Sequence, residues 1–294
     1  MNRDASRPST GRRPASLKQK TIASLKALGI RAKKGLAQHF LVDEEALQQV
    51  VDAGGLTPDD TVIEIGAGLG VLTRELAKHA GKVIAIELDE NLAKALSKEL
   101  AGSSNVTVVH GDVLDINPAD LVGADAPYKV VANIPYYITG AILRHFVEAP
   151  NKPALVVLML EKEQAQSVVA RPGKMSVLGI SVQLYGRPQI VAFVPANSFY
   201  PAPKVDSAIL RVDIYPRPAV GMTSAEHFFK VVRAGFSARR KQLHNALSRR
   251  LNMPGQAVTD VLRRAEIAPM RRAQTLTLEE WARLEQLFAE EKPC

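Results

Sequence analysis

The 294-residue chain is poor in cysteine and aromatic residues and has no long hydrophobic run. Its single cysteine, Cys294, excludes an internal disulfide and a cysteine-rich metal cluster, so we expect a reducing, cytoplasmic setting and no bound metal. The longest apolar run, 154–160, has seven residues, whereas a membrane helix needs roughly 20. No apolar stretch near the start resembles a secretory signal. We therefore expect a globular protein that neither spans a membrane nor is secreted.

Charge is distributed unevenly along the chain, whose net charge is +8. Counting Lys and Arg against Asp and Glu gives +9 for residues 1–34, −6 for 35–220, +8 for 221–273 and −3 for 274–294. Two basic segments thus flank an acidic middle, and a polyanion such as nucleic acid is the expected partner of such segments. For the basic residues at the start, a merely solvated tail is an equal alternative.

Composition divides the chain into three parts. Residues 1–34 begin with an Arg-, Ser- and Pro-rich stretch that predicts a disordered basic arm, although an organellar transit peptide has similar chemistry. Residues 35–220 alternate β-branched runs with helical stretches, which predicts an α/β domain around a parallel sheet. After a proline-containing linker at 215–218, residues 221–294 show only helical patterns and predict a small all-helical domain.

Seven runs in the middle part predict strands, and the stretches between them predict helices. The predicted strands are Thr61–Ile65, Val83–Glu87, Val106–Val109, Lys129–Ala132, Ala154–Leu160, Ile190–Val194 and Ala208–Asp213. The predicted helices are Val71–Ala80, Glu90–Leu100, Thr139–Glu148 and Lys162–Ala170. Strand and helix repeat in turn, as in a series of βαβ units.

A glycine-rich loop follows the first predicted strand and leads directly into a helix. It reads Glu64-Ile65-Gly66-Ala67-Gly68-Leu69-Gly70, and its glycines allow a ligand to approach the backbone closely. The dinucleotide pattern would need glycine at position 71, which is Val71, so a pyrophosphate site is disfavoured. Without further signals, a glycine turn of this kind can also serve only to pack the strand against the following helix.

Two acids stand at the ends of the next strands, where open α/β sheets bind their ligands. Glu87 ends the second strand and can accept hydrogen bonds from both hydroxyls of a ribose. Asp112 follows the third strand, where capping of the next helix is an equal alternative. The loop and the two acids together resemble the S-adenosylmethionine site of class I methyltransferases, whose fold is a Rossmann-like seven-stranded sheet.

The fourth predicted strand ends in Asn133-Ile134-Pro135-Tyr136. An exocyclic amine of a nucleobase has two N–H groups, which the Asn133 side-chain oxygen and a backbone carbonyl near Pro135 could accept. Proline stiffens this turn, and Tyr136 can stack on a base that has been taken out of a duplex. Taken in isolation, the tetrapeptide is an ordinary strand-end turn. Because the tetrapeptide follows the fourth strand of a methyltransferase-like sheet, it predicts methylation of an amine.

Three further segments make the likeness specific: 38–43 (QHFLVD), 198–207 (SFYPAPKVDS) and 236–247 (FSARRKQLHNAL). With the Asn133 motif, they make residues 30–290 resemble the rRNA adenine N6,N6-dimethyltransferase family, and within it the members that act on the small subunit. The resemblance implies dimethylation of two adjacent adenines in the 3′-terminal loop of small-subunit rRNA, with the immature small subunit as partner. We expect a monomer.

The resemblance also implies a role for each matching residue. Positions matching the family's contacts to S-adenosylmethionine are His39 and Leu41 through their backbone, Gly66 and Gly68 at the methionine part, Glu87 at the ribose, Asp112 at the adenine amine and Asn133 beside the methyl group. Tyr136 and Phe199 match the aromatic residues that hold the target adenine between them. One departure stands out: the family usually has Gly-Gln-Asn-Phe-Leu where this chain has 37–41 (AQHFL), which leaves a side-chain role for His39 open.

Five basic residues without an intervening acid lie within residues 239–250, in a stretch predicted to be helical: Arg239, Arg240, Lys241, Arg249 and Arg250. Such a density of charge favours contact with RNA phosphates over a solvated helix face.

Three other functions remain open at this point. The first is methylation of large-subunit rRNA, as in macrolide-resistance enzymes with the same motif. The second is a ribosome-assembly or transcription factor that uses the fold only to bind RNA. The third is methylation of protein glutamine or a small molecule, which would leave the basic helical segment unexplained.

Overall fold

The computed structural model describes residues 15–29, 38–238 and 240–291. Helices in this part of the chain are α1 Leu17–Ala27, α2 Glu44–Gly54, α3 Val71–His79, α4 Glu90–Glu99, α5 Pro118–Val122, α6 Thr139–Val147, α7 Lys162–Val168, α8 Val177–Tyr185, α9 Ala225–Gly235, α10 Leu243–Leu251, α11 Gly255–Arg264 and α12 Leu278–Glu290. Strands are β1 Phe40–Leu41, β2 Thr61–Ile65, β3 Lys82–Glu87, β4 Val106–His110, β5 Lys129–Asn133, β6 Leu155–Glu161, β7 Gly186–Val194, β8 Phe199–Tyr200 and β9 Ser207–Ile214.

Seven of the strands form one sheet in the order β4-β3-β2-β5-β6-β9-β7, which confirms the predicted architecture. The expectation of an all-parallel sheet is wrong for β9, which runs antiparallel to both β6 and β7. The reason is the connection: between β7 and β9 the chain has only a short 3-10 turn and β8, with no crossover helix. The remaining two strands, β1 and β8, pair in a separate antiparallel ribbon that the sequence did not indicate.

The central strands β2, β5 and β6 are buried on both faces, which explains why they are mostly apolar. Along β5, Val130 and Ala132 enter the apolar cluster on one face, and Val131 enters the cluster on the other. Helices α2, α5 and α8 were not predicted. Strand order reverses at β2, which has β3 on one side and β5 on the other, so a crevice is expected at the carboxyl ends of these strands.

Helix α1 corrects the expectation of a disordered arm over residues 1–34. A capping box formed by Ser16 and Gln19 begins the helix, and it buries Thr21 and Leu25, which lie one turn apart. Leu25 packs in an apolar cluster with Phe40, Leu69 and Leu92. Burial of Leu25 in this cluster holds the helix against the rest of the domain. Residues 1–14 and 30–34 of the predicted arm lie outside the described part of the chain.

The helices after β9 share a core with α8. Trp281 and Phe228 are fully buried in a cluster that also contains Ile180 and Leu184. This packing joins the last four helices to the sheet domain by apolar contact. No helix in the described ranges combines the length and apolar character needed to cross a membrane.

Candidate active site

The carboxyl ends of β2, β3 and β5 open into one cavity. Sequence-predicted residues that line it are His39, Leu41, Gly66, Gly68, Glu87, Asp112, Asn133, Pro135 and Tyr136. They come from five separate stretches of the sequence, which the parallel strands bring to the same edge of the sheet. The described structure thus gathers every predicted donor-contact residue, and the Asn133 motif, around a single space.

The glycine loop has the backbone geometry that its residues allow. Gly66, Gly68 and Gly70 all have positive φ, at 70°, 58° and 70°. A Cβ on Gly68 would lie 3.3 Å from the Phe40 ring, and one on Gly70 would overlap the Leu96 side chain. The positive φ disfavours a larger residue at each of these positions, and a side chain at position 70 would also require Leu96 to move. The bare backbone of this loop forms one wall of the cavity.

Glu87 ties the glycine loop to the next strand end. Its carboxylate accepts hydrogen bonds from the backbone N–H of Gly68 at 2.7 Å and of Asp89 at 2.8 Å. Burial raises the pKa of the Glu87 carboxyl, and the two N–H donors oppose that shift. The side chain is thus held in a fixed position at the cavity edge.

Asp112 caps the turn that follows it, which was the alternative to ligand binding, and it also lines the cavity. Its Oδ1 accepts a hydrogen bond from the N–H of Leu114 at 2.9 Å at the start of a 3-10 turn. Its other oxygen makes no hydrogen bond with any residue of the described ranges. One oxygen therefore fixes the side chain, and the other remains available to a ligand.

Glu64, at the end of β2, is buried with its Oε2 unpartnered among the described residues. Desolvation raises the pKa of this carboxyl to about 8, and the negative charge of Glu87 adds to the shift. At neutral pH the Glu64 side chain is mostly protonated. Because Glu64 is mostly neutral, it does not repel the Glu87 carboxylate with a full negative charge.

Asn133 ends β5 with its side-chain amide oriented by a backbone carbonyl. Its Nδ2 donates a hydrogen bond to the His39 carbonyl at 3.3 Å. Because the amide nitrogen is engaged there, Oδ1 is the free acceptor; no donor within the described residues reaches it. The Pro135 carbonyl accepts from the Ile138 N–H at 3.3 Å, whereas no described donor bonds the Ile134 carbonyl. The second acceptor foreseen near Pro135 is thus best supplied by Ile134.

Both the hydroxyl and the backbone carbonyl of Tyr136 are hydrogen-bonded. Its hydroxyl hydrogen-bonds the Ser207 hydroxyl, and its carbonyl accepts from Gln164 Nε2 at 3.0 Å and Thr139 Oγ1 at 3.1 Å. Burial raises the pKa of the Tyr136 phenol, so it stays neutral. Sequence reasoning missed Ser207 as a positioning residue although it lies in the quoted 198–207 segment, and nothing in the sequence pointed to Gln164.

Phe199 is not placed at the cavity, which corrects the expectation that it holds the target base with Tyr136. The Phe199 side chain is only 2% exposed and packs in the sheet core with Leu41 and Val194. The β1–β8 ribbon pairs Phe199 with Leu41, whose side chain is buried as well. Tyr137, which was not predicted, does line the cavity and is exposed.

The basic residues near α10 lie at its two ends. Arg240 and Lys241 precede the helix, and Arg249 and Arg250 are in its last turn; the nine residues of α10 span about 13 Å at 1.5 Å per residue. This corrects the expectation of one continuous helical stretch, since helix α10 starts only at Leu243. All four are exposed and make no ion pair within the described ranges. Arg239 lies outside the described residues.

Comparison with known proteins agrees with this geometry. The model of the ribosomal RNA adenine dimethylase family matches residues 29–290. A ribosomal RNA small subunit methyltransferase A from Dehalococcoides mccartyi is 47% identical over 296 aligned positions, covering 100% of both chains. A dimethyladenosine transferase from Plasmodium falciparum has a TM-score of 0.73 at 25% identity, covering 86% of this chain and 98% of that one. The 23S rRNA methyltransferase ErmE has a TM-score of 0.67 at 30% identity, covering 85% and 99%. The chain belongs to the ribosomal RNA adenine dimethylase family.

Proposed function

We propose that this protein dimethylates N6 of two adjacent adenines in the 3′-terminal loop of small-subunit rRNA, using S-adenosylmethionine as methyl donor. The substrate would be an immature small ribosomal subunit, and the enzyme would act as a cytoplasmic monomer. Family membership and the high identity to small-subunit methyltransferases support this choice of RNA.

The cavity residues fit S-adenosylmethionine, which when bound supplies an electrophilic methyl group on a sulfonium sulfur. The bare backbone of the glycine loop accommodates the methionine part, with Gly66 and Gly68 closest. Glu87 would accept hydrogen bonds from the ribose hydroxyls, and the free oxygen of Asp112 from the adenine amine. Leu41 and His39 close the opposite side through β1 and the residue before it.

The observation that carries the proposal is the orientation of Asn133. With Nδ2 bound to the His39 carbonyl, Oδ1 can accept one N–H of the target amine, and the Ile134 carbonyl can accept the other. Two acceptors draw the amine nitrogen out of conjugation with the ring and aim its lone pair into the cavity. Transfer of the methyl group would break its bond to the sulfonium sulfur, which leaves as a neutral thioether, and would place the positive charge on the amine nitrogen. That nitrogen would then lose a proton to water without a dedicated base.

RNA retention is a separate task that we assign to the basic groups around α10. Arg240, Lys241, Arg249 and Arg250 can each release counterions from RNA phosphates, because no acidic partner in the described ranges neutralises them. We assign the same role to Arg239 because it is the neighbour of Arg240 in the sequence. The two groups lie at opposite ends of α10 and can therefore contact different phosphates of the RNA backbone.

The test is Asn133→Ala, with the exposed Asn91→Ala on α4 as matched control. We expect the first variant to lose methyl transfer to unmethylated small subunits while RNA retention on a filter stays within a few-fold of the unsubstituted protein. The control should behave as the unsubstituted protein does. Normal dimethylation by Asn133→Ala would refute the role given to this residue.

Large-subunit methylation is the second candidate, favoured by the 30% identity to ErmE. Mass spectrometry of both rRNAs, from cells with and without the gene, separates the two. Dimethyladenosine that depends on the gene in the 3′ fragment of small-subunit rRNA supports the proposal. If the gene affects dimethyladenosine only in large-subunit rRNA, the second candidate replaces the proposal. If neither rRNA changes, the remaining function is that of an assembly factor that binds RNA without methylating it.

A further inference from the structure

The connection between α7 and α8 carries two positive charges side by side. Its residues Arg171-Pro172-Gly173-Lys174 form a β-turn, in which the Lys174 N–H donates to the Arg171 carbonyl at 3.0 Å. Proline at the second position and glycine with a φ of 108° at the third are typical of a type II turn. The first and fourth residues of a β-turn lie less than about 7 Å apart at Cα, so the two basic residues are neighbours.

Hydrogen bonds on both sides hold this 171–174 turn in place. Just before it, Gln183 Nε2 donates to the Ala170 carbonyl at 2.9 Å. The N–H groups of Gly173 and Met175 both donate to the Gln274 carbonyl, at 2.8 Å and 3.2 Å. The Met175 side chain is buried in the core that α8 shares with the last four helices. The turn is thus anchored without any contribution from its two charged side chains.

Neither charge of the turn is used inside the protein. Arg171 and Lys174 are exposed and make no ion pair within the described ranges. They are also the only charged residues between positions 164 and 186, in a part of the chain that is acidic as a whole. Two like charges at this spacing repel each other, so the pair brings no benefit to the folded chain on its own. The arrangement is complementary to an anionic partner.

The turn is continuous with the basic residues that precede α10. The loop between α11 and α12 connects them, because its Gln274 carbonyl accepts from the turn and its Arg271 carbonyl accepts from the Leu243 N–H at 2.7 Å. Leu243 is the first residue of α10, and Arg240 and Lys241 come directly before this helix. One basic surface therefore runs from the sheet domain across this loop to the helical domain.

Helix α7 links this surface to the cavity. In its first turn, Gln164 Nε2 donates to the Tyr136 carbonyl at 3.0 Å. The helix ends at Val168, three residues before Arg171, and its seven residues span about 10 Å. An RNA whose unpaired base enters the cavity therefore has its flanking backbone within reach of the turn.

We infer that the 171–174 turn is a phosphate-binding element of the sheet domain, for the same RNA that Arg240 and Lys241 contact. This inference rests on the proposed function. Arginine can form two parallel hydrogen bonds with one phosphate, and lysine supplies a point charge to the next. The RNA is then held by both domains, which fixes the position of the target base relative to the cavity more closely than the helical domain does alone.

The experiment compares a double variant, Arg171→Gln with Lys174→Gln, with a control of equal charge loss, Lys82→Gln with Lys98→Gln. Both control residues are exposed and lie at the opposite edge of the sheet, at the start of β3 and the end of α4. Retention of protein-free small-subunit rRNA on a filter is measured between 0.05 and 0.5 M salt. Binding of immature small subunits is measured in parallel.

Loss of two phosphate contacts should lower the slope of log affinity against log salt by about 1.4 to 1.8. This corresponds to about 25- to 60-fold weaker binding at 0.1 M salt but only about threefold at 0.5 M salt. The control pair should leave the slope nearly unchanged. The exchanged variant, Arg171→Lys with Lys174→Arg, keeps both charges and should retain most of the slope.

Two further measurements separate phosphate binding from a structural role. The Kd for S-adenosylmethionine in calorimetry and the urea midpoint should stay the same in the glutamine variant, because the backbone anchors the turn. The KM for the RNA should rise while kcat at saturating RNA stays within about twofold, since neither side chain lines the cavity.

The remaining outcomes would overturn the inference. An unaltered salt slope would show that the turn is solvated, and an equal effect of the control pair would show that only net charge matters. Weaker binding of immature subunits without weaker binding of protein-free rRNA would assign the turn to a ribosomal protein instead. A turn-dependent slope in a protein that methylates neither rRNA would overturn the proposed function and leave the RNA contact standing.

Discussion

Replacement of Glu64 by glutamine tests the electrostatics of the cavity most directly. The carboxyl is fully enclosed, Oε2 finds no partner in the described ranges, and its pKa is raised from 4.5 to about 8. In the unfolded chain the same group ionises near pH 4.5. Folding at neutral pH therefore requires uptake of a proton, which Glu64→Gln would make unnecessary.

The sign and size of the effect follow from linkage. A raised pKa contributes stability that is complete below pH 4.5 and is lost as the pH rises towards about 8. Each pH unit within this window corresponds to about 1.4 kcal/mol. The free energy of unfolding of Glu64→Gln, relative to the unsubstituted protein, should thus grow by about 3 kcal/mol between pH 5 and pH 7.

Urea unfolding at pH 5, 6, 7 and 8 provides the measurement, with the difference between the two proteins as readout so that all other titrating groups cancel. The exposed Glu99→Gln on α4 is the matched control and should give a nearly flat difference. A flat difference for Glu64→Gln, or one that falls with pH, would mean that Glu64 is ionised in the folded protein and that burial does not dominate its pKa.

Three further predictions concern the donor, the first helix and RNA. Glu87→Ala leaves the N–H groups at Gly68 and Asp89 unpaired and should weaken donor binding by about 10- to 100-fold in calorimetry; unchanged affinity would contradict the ribose assignment. Leu25→Ala should lower the free energy of unfolding by about 2 to 5 kcal/mol in urea titrations, whereas a disordered arm would show no loss. Combined Arg249→Gln and Arg250→Gln should reduce the slope of log affinity for RNA against log salt by about one to two, and an unaltered slope would indicate a solvated face.

Periodicity and motif order predicted much of the scaffold. Each of the seven predicted runs became a strand of the sheet, with β2 matching its predicted bounds and β7 beginning four residues earlier than predicted. Local rules suffice here, because alternation of side chains along a strand and the positive φ of glycine act over a few residues. The cavity followed as well, since parallel strands bring their carboxyl ends to one edge.

Long-range packing accounts for what was missed. Helix α1 depends on a surface formed by Phe40, Leu69 and Leu92, which are distant in sequence from Leu25. The direction of β9 depends on the path of the chain between β7 and β9. Gln164 reaches Tyr136 across 28 positions of sequence, and no local pattern announces such a bond.

The sequence by itself determined the architecture, the glycine loop, the strand-end acids and the Asn133 motif, because each rests on neighbours in the chain. Only the tertiary structure decided which aromatic side chain turns towards Tyr136. Phe199 and His39 lie 160 positions apart and are brought together by the β1–β8 ribbon and the bond from His39 to Pro201. The ribbon places Phe199 in the core and leaves the His39 ring at the cavity, because burial of the larger apolar side chain gains more from the hydrophobic effect.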